Sequence, residues 1–262
     1  MRAHLGREGR LKRLCLILGA LVALAGCGGG DEPSEPSTTT APPAAEAEDE
    51  TEGGEIVVAA LGDSITAGSP LYDPDPQARA ALGFGDDKRS QFEYWASRAD
   101  PTLEFRNCGV FGERTDEIAT RLEECAAGAD ALIVQGGIND IAQSLAGGPR
   151  VAEDAARAAV ENIDGMVASG QANGLRVAVT DVLPWNNGHP VADPAIAALN
   201  SGIEEVARER DVTLLRFHAE LEAPDLAGTM ALELTDDGDH PSIEGYRLLG
   251  ELVAAELGEP GP

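Results

Sequence analysis

Residues 56–68 read Ile-Val-Val-Ala-Ala-Leu-Gly-Asp-Ser-Ile-Thr-Ala-Gly, an unbroken apolar run that stops at Gly62-Asp63-Ser64. A run rich in Val and Ile with no polar alternation suits a strand buried on both faces of a parallel sheet. Such a strand needs helices over both faces, so it commits the domain to the α/β class. It also delivers Ser64 to the carboxyl end of the strand, where open α/β sheets place their chemistry. Two readings are open at this point. Asp63 or Ser64 caps the next helix, or Ser64 is a nucleophile.

The rest of the chain alternates in the same sense. A loop rich in Gly, Pro and Asp, residues 68–88, leads to a predicted helix over 91–98 that carries Trp95. A second strand is predicted over 103–110, a helix over 114–126, and a third strand over 131–135 that ends in Gly136-Gly137. The longest helix is predicted over 151–172, followed by a strand over 175–182, a helix over 194–210, a short strand over 212–217 and a last helix from Ser242 to before Gly258. Strands separated by helices of ten residues or more imply parallel pairing, because each crossover needs that length of chain. The expected fold is a three-layer α/β/α sandwich with about five parallel strands in flavodoxin-like order. No internal repeat interrupts it.

In that fold the ends of the first four strands open on one edge, and the residues there are informative. A serine nucleophile needs a base, a group to orient the base, and donors for an oxyanion. Beyond residue 54 the chain has three histidines, His189, His218 and His240. His240 lies in Asp236-Asp237-Gly238-Asp239-His240-Pro241, just before the last helix, and the short spacing lets Asp237 fold back on one imidazole nitrogen while the other faces Ser64. His189 has no carboxylate immediately before it, and His218 ends a strand beside Ala219, so His240 is the better base. In isolation Asp-x-x-His braces a helix; beside a strand-end Gly-Asp-Ser it supplies what Ser64 lacks. Gly112, with no Cβ to block approach, can expose its N–H, and Asn139 can aim a side-chain amide at the same point. With the Ser64 N–H these make three oxyanion donors.

These four pieces resemble the SGNH hydrolases, the GDSL-type esterases and lipases. Gly62-Asp63-Ser64 matches the serine block, Gly112 the glycine block, Gly137-Ile138-Asn139-Asp140 the asparagine block, and Asp237-Gly238-Asp239-His240-Pro241 the histidine block. The resemblance spans about residues 55–257. It implies Ser64 as nucleophile and oxyanion donor, Gly112 and Asn139 as the other donors, His240 as base and Asp237 as its orienter. It also implies no metal and no cofactor, and esters of lipids, acetylated sugars or small alcohols as substrates. Gly62-x-Ser64-x-Thr66 is not the Gly-x-Ser-x-Gly elbow of α/β-hydrolases.

The first fifty residues are organised differently. Arg2, Arg7, Arg10, Lys12 and Arg13 precede an apolar run from Leu14 to Ala25, too short to span a bilayer comfortably and ordered like a secretory signal. It ends in Leu24-Ala25-Gly26-Cys27, which resembles the lipobox of bacterial lipoproteins and implies cleavage before a lipidated Cys27. Residues 27–54 are Gly, Pro, Ser, Thr, Ala and acid, a composition that cannot bury enough apolar surface to offset chain entropy. The expected layout is a signal over 1–26, an acidic tether over 27–54, the hydrolase domain over 55–258 and a tail over 259–262. An extracytoplasmic protein held to a bacterial membrane by its lipid anchor alone follows.

Removing residues 1–26 takes away five cations and one acid, deepening the net charge from −27 to −31. Such a surface excludes nucleic acid, whose binding depends on Lys and Arg at phosphates. Cys15 lies in the signal, which leaves Cys108 and Cys125. An exported chain favours a disulfide between them, yet a single helix over 114–126 would carry them apart by on the order of 15 Å. The sequence leaves that pair open.

Residues 68–88 and Leu183-Pro184-Trp185-Asn186-Asn187-Gly188 flank the expected pocket and would set substrate preference. Trp185 either contacts substrate there, stacking on a sugar or lining an acyl slot, or packs as an apolar cover. An acyltransferase on the same serine and a catalytically silent binding lipoprotein are the alternatives to a hydrolase. Metal hydrolysis finds no ligand spacing among the three histidines.

Overall fold

The computed structural model describes residues 55–258; the signal, Cys27, the tether and the tail lie outside the described residues. The first strand, β1 (Ile56–Gly62), runs into a four-residue helix α1 (Ser64–Ala67). There follow α2 (Pro76–Leu82), α3 (Phe92–Ala99), β2 (Leu103–Gly109), α4 (Thr115–Ala119), α5 (Leu122–Ala126), β3 (Ala131–Val134), α6 (Ile138–Ser144) and α7 (Pro149–Ala172). The second half holds β4 (Arg176–Thr180), α8 (Asp193–Arg210), β5 (Thr213–Leu215), α9 (Phe217–Leu221), a small hairpin β6 (Glu222–Ala223) and β7 (Leu226–Met230), and α10 (Ile243–Leu257).

Five strands form one parallel sheet in the order β2-β1-β3-β4-β5. The alternation of side chains along the strands divides the core into two layers. Ala59 and Leu61, with Leu132 and Val134 and with Val177 and Val179, face α4 to α8. Val58 and Ala60, with Ala131, Ile133, Ala178 and Leu215, face α3, α9 and α10 through Phe92, Phe217, Tyr246 and Leu249. The architecture is therefore the expected three-layer sandwich. From β1 the chain crosses to β2 on one side and then returns to β3 on the other, so Ser64 stands at the switch point of the sheet.

Three local expectations are corrected. The loop over 68–88 contains α2, which has the signals of a helix: Asp75 caps it, Pro76 occupies its first position and Gly83 ends it in the left-handed region. Residues 114–126 are two short helices rather than one, with Arg121 at the break. The break turns Arg121 inward, where its guanidinium donates to Cys108 O at 2.6 Å, Gly62 O at 3.1 Å and Glu113 Oε2 at 2.6 Å. That kink also removes the objection to a disulfide: the Cys108 and Cys125 Cα atoms are 6.0 Å apart and the two sulfurs are bonded. Thirdly, the hairpin β6–β7 fills a stretch where no strand is predicted, and Asn186 docks it by exchanging two hydrogen bonds with the Met230 backbone.

Candidate active site

Asp63, the residue between β1 and α1, has no exposed surface, and its Oδ1 accepts the Ile65 N–H at 2.9 Å. The capping role open in the sequence thus falls to Asp63, and Ser64 keeps its hydroxyl for another partner. Gly62 is required by crowding: a Cβ there would lie 2.2 Å from Thr66 Oγ1 and 2.5 Å from Gln135 Oε1. Gln135, at the end of β3, accepts from Asp63 N at 3.1 Å and Thr66 Oγ1 at 2.8 Å, locking the turn that carries Ser64 to its neighbouring strand. Burial raises the Asp63 carboxyl from its ordinary 3.8 to about 6, against the lowering effect of the Ile65 and Gln135 hydrogen bonds and of His240.

The other end of the chain supplies the rest. Ser64 Oγ lies 3.0 Å from His240 Nε2, and His240 Nδ1 lies 2.8 Å from Asp237 Oδ2. A carboxylate only accepts, so the neutral imidazole carries its proton on Nδ1 and presents Nε2 as the acceptor for the Ser64 hydroxyl. Asp237 Oδ1 also accepts the backbone N–H groups of Asp239 and His240, at 2.9 and 2.7 Å. Partial burial pushes the Asp237 carboxyl up, but the hydrogen bonds from His240 and Asp239 outweigh it and hold the group at about 2. One carboxylate thus fixes both the ring and the turn that bears it.

That turn is braced from outside. Thr235 Oγ1 donates to His240 O at 2.8 Å and accepts from Gly238 N at 2.9 Å. Asn187 Nδ2 donates to Asp237 O at 2.8 Å and Asp239 Oδ1 at 2.7 Å, and the Trp185 indole N–H donates to the same Asp239 oxygen. Trp185 therefore sits against the histidine turn, half-buried and packed on the core. Neither Thr235 nor Asn187 is singled out by sequence, since polar loop residues carry no periodic signal.

Gly112 has φ +79°, a conformation that disfavours any side chain, and a Cβ there would meet nothing within 4 Å. The need for glycine is conformational. Asn139, in the first turn of α6, donates through Nδ2 to Glu113 O at 2.9 Å, which joins it to the segment of Gly112 and leaves a second amide hydrogen. Gln143 Nε2 donates to Gly112 O at 2.9 Å, so the Gly112 peptide is oriented from its carbonyl side. Beneath, buried Asp140 accepts from Thr115 N at 3.0 Å and Thr115 Oγ1 at 2.8 Å, tying α6 to α4. Burial raises the Asp140 carboxyl above its ordinary value. The Ser64 and Gly112 N–H groups donate to no protein acceptor among the described residues.

His189 and His218 are elsewhere. His189 pairs with Asp193, and His218 Nδ1 is 2.8 Å from Val182 O. A cavity of about 550 Å³ is framed by Asp181, Asn200, Arg216 and His218 and includes none of Ser64, Asp237 or His240. Around it His218 N donates to Asp181 Oδ1, Asn200 bonds both backbone groups of Val182, and Arg216 donates to Glu204. It lies beside the ends of β4 and β5, whereas the reactive geometry lies at the end of β1.

A hydroxyl bonded to an imidazole that a carboxylate orients can lose its proton as it attacks an electrophilic carbon. Comparison with known proteins bears on the family and the fold. The sequence profile of the GDSL-like Lipase/Acylhydrolase family matches residues 60–248. No curated protein matches the chain. Among solved structures, it is similar to an acetyl xylan esterase from Geobacillus stearothermophilus, with 18% identity, a TM-score of 0.60, and coverage of 79% of this chain and 96% of that one. A GDSL-like lipase from Bacteroides thetaiotaomicron is 20% identical with a TM-score of 0.56, covering 78% and 88% of the two chains. The lipase/acylhydrolase from Enterococcus faecalis is 22% identical with a TM-score of 0.55, covering 77% and 95%.

Proposed function

Because the chain belongs to the GDSL-like lipase and acylhydrolase family, we propose that it hydrolyses carboxylic esters through an acyl intermediate on Ser64. The observation that carries this reading is the unbroken relay from Ser64 Oγ to His240 Nε2 at 3.0 Å and from His240 Nδ1 to Asp237 Oδ2 at 2.8 Å. In the first half-reaction Ser64 Oγ attacks the ester carbonyl and gives its proton to His240 Nε2. The carbonyl oxygen becomes an oxyanion, received by the N–H groups of Ser64 and Gly112 and by the second hydrogen of the Asn139 amide. The intermediate then collapses: the bond to the alcohol oxygen breaks, and His240 returns the proton to that leaving oxygen. In the second half a water gives a proton to His240 as it attacks the acyl-Ser64 carbonyl; the bond to Ser64 Oγ then breaks, His240 returns the proton to Ser64 Oγ, and the acid is released. Asp237 stays ionised throughout and stabilises the imidazolium formed in each half.

The test is mass spectrometry of the intact domain, residues 53–262, mixed briefly with an activated ester. The expected result is an acyl mass increment on the peptide carrying Ser64, absent from Ser64→Ala, together with a fall in turnover of about 10³-fold or more in that variant. Turnover near the original rate in Ser64→Ala overturns the assignment.

The same proposal includes a location. The signal over residues 1–26 and Cys27 within Leu24-Ala25-Gly26-Cys27 support an extracytoplasmic enzyme held to a bacterial membrane by acyl chains on Cys27, with residues 28–54 as the tether. Cys27→Ser in the full chain should release the protein from the membrane fraction; retention after that change counts against a lipid anchor.

A further inference from the structure

The side of the triad nearest Gly112 carries aromatic rings that the fold does not use. The Phe111 ring stacks beside the His240 imidazole, with centroids 6.4 Å apart and planes at 30°. Phe84 meets Phe111 edge-on at 5.1 Å. Phe111 is 43% exposed, and Val110 beside it and Leu82, two residues before Phe84, are exposed as well. None of these four residues belongs to either layer of the core. Scattered exposed apolar side chains are ordinary, but a linked pair of rings abutting a reactive imidazole is a patch of the kind that marks a binding surface.

Phe84 is also placed deliberately. It follows Gly83, the left-handed end of α2, and α2 buries none of its own residues. The segment is fixed instead by its backbone: Phe84 N donates to Arg79 O, Gly85 N to Pro70 O and Asp87 N to Leu71 O, at 3.1, 3.1 and 2.9 Å. Residues 70–71 lie just after α1, so the scaffold that presents Ser64 also holds Phe84 against Phe111. The side chains of Leu82, Phe84, Val110 and Phe111 offer no hydrogen-bonding atom. A sugar laid on them would gain no directed hydrogen bond from these side chains, whereas an alkyl chain asks only for apolar contact.

Building on the ester hydrolase reading above, we propose that Phe111 and Phe84 form a ledge that receives the acyl chain of the substrate, making this enzyme selective for esters of medium-chain fatty acids over acetyl esters. The carbonyl held by the Gly112 N–H lies one residue from Phe111, so a chain leaving that carbon meets the Phe111 ring first and reaches Phe84 only when longer. Short acyl groups gain from neither ring. The acetyl group of an acetylated glycan is the substrate this arrangement discriminates against.

The experiment measures kcat/KM for p-nitrophenyl acetate, butyrate, hexanoate and octanoate with the 53–262 domain, Phe111→Ala, Phe111→Leu, Phe84→Ala and Ser64→Ala. Each methylene moved out of water is worth about a fourfold gain, so the octanoate-to-acetate ratio should exceed one by on the order of tenfold or more. Phe111→Ala should reduce that ratio by about tenfold, Phe84→Ala should reduce the octanoate rate more than the butyrate rate, and Phe111→Leu, which keeps apolar contact, should retain most of the ratio. Reading the ratio separates chain recognition from any general loss of rate, and Phe111→Leu and Phe84→Ala carry the test if Phe111→Ala does not fold. A ratio at or below one in the unaltered enzyme, or one unchanged in both alanine variants, overturns the ledge. Turnover surviving in Ser64→Ala overturns instead the ester hydrolase reading on which it rests.

Discussion

Ser64 and His240 are separated by 176 residues and meet at 3.0 Å, with the hydroxyl of one on the Nε2 of the other. Ser64 follows the first strand, β1, and His240 comes just before the last helix, so nearly the whole domain must be in place before the contact exists. His240→Ala should lower kcat/KM for an activated ester by about 10³-fold or more. Asp237→Asn should cost on the order of 10²-fold to 10⁴-fold, because an amide that donates to Nδ1 selects the wrong tautomer. His189→Ala and His218→Ala, whose rings pair with Asp193 and Val182, should change the rate by less than about threefold. A large loss in either of these two variants would contradict the assignment of His240.

The oxyanion donors can be tested apart from the relay. Asn139→Ala should reduce kcat by about 10²-fold to 10³-fold with little change in KM, since the second amide hydrogen acts on charge that develops only in the transition state. Gly112→Ala meets no steric obstacle, so its effect should come from φ +79° alone, at about 1 kcal/mol of stability together with a misaimed N–H. Urea unfolding and steady-state kinetics on the two variants separate these contributions. An Asn139→Ala enzyme whose loss lies entirely in KM would place that amide in ground-state binding.

Asp63 gives a pH dependence with a definite sign. Its folded value, raised by burial to about 6, lies above the ordinary 3.8, so the folded state keeps the proton longer than the unfolded state does. The stability this contributes is fully present below about pH 4 and is lost as the pH rises to about 6. Asp63→Asn removes the titration while keeping an oxygen to accept the Ile65 N–H. The unfolding free energy of the variant minus that of the wild type should therefore rise by up to about 3 kcal/mol between pH 4 and pH 7, read from urea curves at each pH. A difference that stays flat across that range would show that Asp63 is ionised throughout.

The disulfide is a fourth test. Closing a loop of 17 residues should contribute about 3 kcal/mol, so paired Cys108→Ser and Cys125→Ser changes should lower the urea midpoint accordingly. The 53–262 domain should show no titratable thiol until reductant is added. Two free thiols in the native, unreduced protein would exclude the bond.

The layers of the fold were legible because strand and helix periods are local properties: the apolar runs at 56–61 and 131–134 and the long amphipathic stretches fix which segments cross the core. α2 was legible in principle, since Asp75-Pro76 and Gly83 are start and stop signals, but no apolar stripe announces a helix that buries nothing. The break at Arg121 was not legible, because what ends the helix is a guanidinium bonding to carbonyls of two strands that sequence spacing does not bring together.

By itself, then, the sequence determined the parallel three-layer sandwich, the position of Ser64 at the end of its first strand, and the residue types arrayed along the same edge. Each of these follows from spacing within a segment. The sequence also singled out His240 as the base; the tertiary structure decided that Asp63 rather than Ser64 caps α1, that Gln135 locks the turn, and that Cys108 and Cys125 meet. It alone put Phe84 and Phe111 beside His240. Those are contacts between distant segments, fixed by the packing of helices on a twisted sheet, and no local period encodes them.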